Sequence, residues 1–406
     1  MAVFLFLKQI VDMFYQYKIL DYGMVVLGTG LLCIKIWKDK TYLHPKEFLC
    51  PADFVVVALM LVYIGAFLRY PSAYGTFFKV ESAFLVYFLG RVYGKEIMRH
   101  GKVLAIAGYI AVYLNFFYRL YLFGFRLFLQ PGEEDLLNRG GMYYYKTDLA
   151  VAVIIAMIFI YMFSEIKLLK WFTIVPICGY MVLYSGARMQ QAVIIVIYGF
   201  ILLNEIEKKK DKRLVPGSKF VKIVSIVAII LTICILAVLE IFPFEAYGEE
   251  VALSADWLNS KIERIMHSRQ AVWWGILQYF SEQPLLTKMF GIDLETEYLH
   301  NSVGIRAHSM YIKQIYATGY VGCILLVVFL INILKRLSER EDRKLYYIVI
   351  MLWVMFLGSG LTIESMEATQ MSWFPMLFAG MLFSERNAKL SENSEKDNGK
   401  YGEEKN

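Results

Sequence analysis

Apolar stretches of roughly 16 to 24 residues follow one another from residue 19 to residue 384, parted by short charged segments. At 1.5 Å of rise per residue, such a stretch carries a helix across about 30 Å of hydrocarbon. Inside a bilayer the backbone must satisfy its own hydrogen bonds, so each stretch is expected to be helical. With 58% hydrophobic and only 19% charged residues, the chain is too apolar for an ordinary soluble domain. The expected fold class is therefore all-α: a polytopic membrane protein with about eleven transmembrane helices (10–12), spanning 19–37, 52–68, 77–93, 103–123, 148–163, 171–184, 189–203, 219–242, 311–331, 345–363 and 371–384. Residues 1–18 form either a surface helix or part of a further span.

Charge orients the spans. The run EIEKKKDKR at 205–213 belongs in the cytoplasm, because Lys and Arg accumulate on that side. Counting outward from it, KDKTYLHPKEF, GKEIMRHGK, SEIKLLK and LKRLSEREDRK all fall on the same side, while YPSAYG and ESMEATQ fall outside and are poor in lysine. The alternation puts the N-terminus outside and the C-terminus in the cytoplasm. It also accounts for the net charge of +6 without a nucleic-acid partner. Five cysteines without a C-x-x-C pair suggest neither a zinc site nor a disulfide framework. Residues 1–385 are read as the membrane domain and 386–406, highly charged with little to bury, as a disordered cytoplasmic tail.

Two outer loops stand out. Residues 124–147 carry Arg126 and Arg139 beside an acidic stretch. Residues 243–307 are too many for a connector and are expected to be functional. Within them, about 256–281 has a helical period: Ile262, Ile265, Met266, Val272, Trp273, Ile276 and Phe280 form a stripe that Pro284 ends. Such a helix suits the outer leaflet or the mouth of the bundle, with Arg269 beside the stripe.

Three outer groups can be assembled into a chemistry. Arg188 opens a span after the break Ser185-Gly186-Ala187, where free backbone N–H groups favour an anion. Arg269 adds a second guanidinium, a planar fork suited to pyrophosphate. His308 precedes a helix start that is polar through Ser309, Tyr311, Lys313, Tyr316 and Thr318, and an imidazole near neutral pKa accepts a hydroxyl proton. Each has an ordinary reading alone: a snorkelling arginine for Arg188, an interfacial histidine for His308. Arg119, within YLNFFYRLYLF, either snorkels outward or lines a cavity.

These residues carry a resemblance. LYSGARMQQAV at 183–193, SRQAVWWGILQYFSEQPLL at 268–286 and AHSMYIKQIYATGYVG at 307–322 resemble, in that order, segments of the bacterial O-antigen ligase and O-antigen polymerase superfamily. Tyr184, Ser185, Gly186 and Ala187 depart from the usual wording of the first segment; Ser309, Ala317 and Thr318 depart from that of the third. The resemblance implies a GT-C-like membrane glycosyltransferase with one large extracytoplasmic loop, in the bacterial cytoplasmic membrane. It implies a metal-independent transfer from an undecaprenyl-pyrophosphate-linked glycan to a glycan or lipid-linked acceptor, with no cofactor. Arg188 and Arg269 would hold the pyrophosphate and His308 would activate or orient the acceptor hydroxyl. Arg119, Arg126, Arg139 and Tyr311 complete the expected substrate-binding set. Membrane lipids, a flippase and a chain-length regulator are the implied partners. Polymerase is preferred over ligase, and a lipid-linked oligosaccharide flippase is the rival outside the family, with a structural scaffold third.

Overall fold

A computed structural model describes residues 1–14, 17–38, 49–123, 142, 143, 145–210, 269–301, 304–339 and 342–384. The chain is an all-helical, polytopic membrane protein, and seven of the described helices are long and apolar enough to cross a bilayer. In chain order the elements are α1 (Ala2–Val11), α2 (Lys18–Lys38), α3 (Pro51–Arg69), α4 (Tyr74–Arg99), α5 (Gly101–Phe123), α6 (Lys146–Phe163), α7 (Lys167–Phe172), α8 (Gly179–Ser185) and α9 (Arg188–Lys210). They continue with α10 (Arg269–Ser281), α11 (Leu285–Phe290), α12 (Met310–Ser338), α13 (Arg343–Gly360) and α14 (Thr369–Ser384). Ten of the expected spans coincide with these helices; the expected span 219–242 lies outside the described residues, as do 256–268 of the amphipathic stretch and the tail.

Residues 1–14 are packed into the bundle, with Phe4, Leu5 and Lys8 buried. Phe4 packs on Gly28 and stacks on Trp373, while Lys8, further along α1, pairs with Asp12 at 2.5 Å and approaches Asp21. Thus α1 folds back antiparallel on α2, with Phe4 and Leu5 fully buried in the bundle. The span expected at 171–184 is a composite: α7 and α8 are joined by a π-helical turn over Thr173–Cys178 that contains Pro176. Proline removes one backbone donor, and the wider turn absorbs the mismatch.

The bundle centre is set by α4 and α14, which cross closely because Gly90 faces the Leu377 carbonyl and Gly380 faces that of Tyr87; a Cβ at either would overlap the opposing backbone. The two ends of the bundle differ in charge. One gathers Lys35 on Glu96 (3.3 Å), Lys102 on Glu165 (2.9 Å), Lys344 over the Phe163 ring and Arg336 on the Leu382 carbonyl. The other holds the starts of α9, α10 and α12 and the end of α13, and with them Arg188, Arg269 and His308.

In α12 the expected uninterrupted span 311–331 is broken. Gly319 has φ 63° and ψ −161°, so α12 is two helices end to end, 310–318 and 320–338. In the sequence Gly319 and Gly322 read as glycines that allow close helix approach; the structure uses Gly319 to stop the helix. The break is filled by the segment that follows α11. Ile292 N–H donates to the Tyr316 carbonyl at 2.7 Å, and Gly291, at φ 82°, lies against Ala317. Arg69 at the end of α3 fastens this segment by donating to the carbonyls of Ile292 and Phe290, each at 2.7 Å.

Candidate active site

The site is assembled by α10. Val272, Ile276 and Phe280 of the expected stripe are buried, the first two packed with Ala307 and Tyr316 and Phe280 edge-on to the Tyr320 ring, so the helix lies across the bundle mouth. It ends at Ser281, before Pro284, as the pattern required. Trp273 and Arg269 are one turn apart and share a face. The Trp273 indole N–H donates to the Ala307 carbonyl at 2.6 Å, which carries Arg269 toward the neighbouring His308 on the chain's return. Arg269 Nη1 donates to the Thr362 carbonyl at 3.3 Å, tying the same helix to the end of α13.

His308 is the one described non-glycine residue with positive φ, at 45°. That conformation costs of order 1 kcal/mol or more outside glycine and persists where neighbours enforce it. Here they do: Ala307 is pinned by Trp273, the His308 N–H donates to Glu364 Oε1 at 3.2 Å, and Met310 N–H donates to the Ile363 carbonyl at 3.1 Å. The imidazole is drawn below its ordinary pKa by burial; Glu364 opposes this and Arg269 and Arg306 reinforce it. Arg269 is lowered by burial alone. A neutral imidazole has a free lone pair for a proton, and the arginines beside it weaken it as a base while making the setting anion-attracting.

Behind His308 lies an ion network that sequence reasoning missed. Arg306 Nη2 holds Glu295 at 2.7 Å, while its Nη1 stands 3.9 Å from both Glu364 and Glu367. Lys313, buried on α12, holds Glu297 at 2.5 Å and Glu367 at 3.6 Å. Burial would lower Arg306, but Glu367, Glu364, Glu297 and Glu295 carry it above its ordinary value. Glu367 is pushed up to about 8 by burial, with Lys313 opposing and Glu364 and Glu297 reinforcing. A small cavity borders the network, lined by Tyr63, Lys313, Gln314, Glu364 and Glu367; the Tyr63 hydroxyl donates to Gln314 Oε1 across it.

No family model and no curated protein matches this chain.

The remaining expected residues are placed as follows. The Ser185–Ala187 linkage is present, with Gly186 at φ 65° and Ser185 Oγ accepting from Ala187 N–H at 3.2 Å, and α9 opens on an exposed Arg188. Val193 of α9 abuts Gly358 near the end of α13, and since the two helices run oppositely, Arg188 lies at the Thr362 end. Gln190 and Ser359 at this level are buried, and Gln190 Nε2 and Ser359 Oγ lack a hydrogen-bond partner. Such unpaired polar atoms are costly and suit a site that receives a polar ligand. The Tyr311 hydroxyl donates to the Leu357 carbonyl at 2.8 Å and joins α12 to α13. Arg119 is buried near the same end on α5, which packs chiefly on α6 and α1. Arg126 and Arg139 lie outside the described residues. Two signals for the missed groups were present in the sequence: Arg306 stands two residues before His308, and ESMEATQ sets two glutamates three apart.

Proposed function

We propose that the chain is a metal-independent membrane glycosyltransferase that polymerises undecaprenyl-pyrophosphate-linked oligosaccharide units on the outer face of the bacterial cytoplasmic membrane. The observation that carries this reading is the convergence of His308 and Arg269, drawn from two distant segments, at the bundle end opposite the lysine-rich one. The lysine-rich end is assigned to the cytoplasm, which puts the C-terminus inside. The expected span 219–242 would complete about eleven helices in a GT-C-like arrangement.

In this reading Arg269 and Arg188 hold the donor pyrophosphate, whose departure as a stable anion needs charge stabilisation more than a proton. His308, neutral, takes the proton of the acceptor hydroxyl as that oxygen attacks the anomeric carbon and the bond to the pyrophosphate oxygen breaks. Arg119 lines the donor side, and Arg126 and Arg139, outside the described residues, add positive potential for the donor. Membrane lipids surround the bundle; a flippase supplies the donor and a chain-length regulator limits the product.

A carrier is the second reading, because broken helices mark transporter sites. The break at Gly319 favours it, but the protein's own Lys288–Ile292 segment packs against that break, and the Ile292 N–H takes up the Tyr316 carbonyl. The test is purified protein in lipid, given an undecaprenyl-pyrophosphate oligosaccharide and EDTA. Longer lipid-linked chains are expected. Transfer to a non-repeat acceptor makes the enzyme a ligase; movement of the donor across the bilayer with no glycan product overturns the enzyme reading.

A further inference from the structure

Arg306 is a fork half used. Nη2 is bound to Glu295 at 2.7 Å, whereas Nη1 lies 3.9 Å from Glu364 and from Glu367, beyond hydrogen-bonding reach. Its side chain is 42% exposed, while Lys313 in the same network is 6% exposed and already committed to Glu297. Arg306 is thus the outward-facing cation of the group, and it stands two residues from His308. Glu364 is shared: Oε1 accepts the His308 backbone N–H, and Oε2 is the oxygen nearest Arg306. The charged groups acting on the His308 ring are Glu364 from the α13–α14 connection, Arg269 from α10 and Arg306 from its own segment. Glu295, Glu297, Glu367 and Lys313 stand behind these, around Arg306.

We propose that Arg306 is a third arginine of the donor-pyrophosphate site and that it couples donor binding to the base: Nη1 leaves Glu364 for a phosphate oxygen, and Glu364 is freed to pair with His308. This rests on the reading of the site as a pyrophosphate-glycan transfer centre. The loose contacts make the exchange inexpensive, because 3.9 Å pairs at a half-exposed position contribute little, whereas a guanidinium fork on phosphate forms short charge-assisted bonds. The pyrophosphate also neutralises Arg269 and Arg306 together, the two groups that weaken the imidazole as a base. His308 is then a weak base in the empty site and a stronger one once the donor is seated, so the hydroxyl is activated only when there is something to attack.

The test uses the full chain in lipid nanodiscs with undecaprenyl pyrophosphate as probe, the lipid without its glycan. Binding is measured, and the pH dependence of His308 modification by diethyl pyrocarbonate is followed on its own peptide by mass spectrometry. In the unsubstituted protein the probe is expected to raise the apparent His308 pKa by about one to three units. Arg306→Gln should weaken probe binding about tenfold or more, raise the apparent His308 pKa in the empty site, and leave a smaller further rise on binding, the part that comes from Arg269. Arg306→Lys keeps the charge but not the fork and should fall between the two. Glu295→Gln, which releases Nη2, should tighten binding. Equal probe affinity and an equal His308 shift in unsubstituted protein and Arg306→Gln would overturn this proposal and leave the transfer reading standing. If Arg306→Gln fails to fold, the proposal is overturned in the same way by Arg306→Lys and Glu295→Gln both matching the unsubstituted protein. Failure of the unsubstituted protein to bind the probe overturns the transfer reading, and this proposal with it.

Discussion

Two charged regions at opposite ends of the bundle handle their charge in opposite ways. At the lysine-rich end Arg91 on α4 and Asp53 on α3 are both fully buried, and the guanidinium makes two bonds to the carboxylate at 2.9 and 3.0 Å. Tyr87 donates to the same carboxylate at 2.7 Å, and the Cys50 N–H caps its other oxygen at 2.7 Å. The carboxylate is fully engaged, and nothing there can receive a ligand. At the other end Arg306 is half-exposed with one loose nitrogen, Glu297 Oε1 is buried without a partner, and His308 is held at positive φ. Saturated, enclosed charge is what a bilayer protein needs to fix helix positions. Incomplete, strained, half-open charge is what a site retains for a substrate.

The contrast is broken most directly at His308. His308→Gln is expected to lower glycan transfer by about 10²- to 10⁴-fold, with the unfolding temperature unchanged, in a chain-growth assay paired with thermal unfolding. Comparable loss of stability would make His308 a structural residue and erase the distinction. Arg91→Met gives the mirror image: about 3–5 kcal/mol of stability lost, because Asp53 is left buried and unpaired, and restored in good part by Asp53→Leu in the same chain. Arg269→Lys is smaller. It keeps the charge and loses the fork, for about a tenfold drop in transfer with folding intact.

Glu367 supplies a pH test. Its carboxyl sits at about 8 in the folded protein against an ordinary 4.5, so the folded state holds a proton that the unfolded chain releases earlier. The stability this contributes is full below 4.5 and is lost as pH rises through about 8. Glu367→Gln is expected to flatten unfolding temperature across that window; an unchanged slope would show that another group titrates there.

What was legible in the sequence follows physical range. Helix positions are local and came through, even for α4, where Lys79, Glu81 and Arg91 interrupt an apolar run. The stripe Val272, Ile276, Phe280 and its proline stop were local too, and with Trp273 they brought Arg269 into place. The break in α12 was not legible, because Gly319 reads as a packing glycine until Ile292, distant in sequence, is seen donating to Tyr316. Nor was the pairing of His308 with Glu364, which joins residues 56 positions apart through the turn after α13. Charge patterning assigned ESMEATQ to a side of the membrane, and only the fold assigned it a neighbour.

Tyr311 is the finest test of where the site stops. Its place three residues after His308 made it an expected substrate contact, and its hydroxyl bonds the Leu357 carbonyl of α13. Tyr311→Phe removes that bond and leaves the ring packing in place. The expected outcome is a loss of about 1 kcal/mol in stability with transfer rate and acceptor preference unchanged. A selective fall in acceptor use at unchanged stability would place Tyr311 in the site and extend the open region one turn further into the bundle.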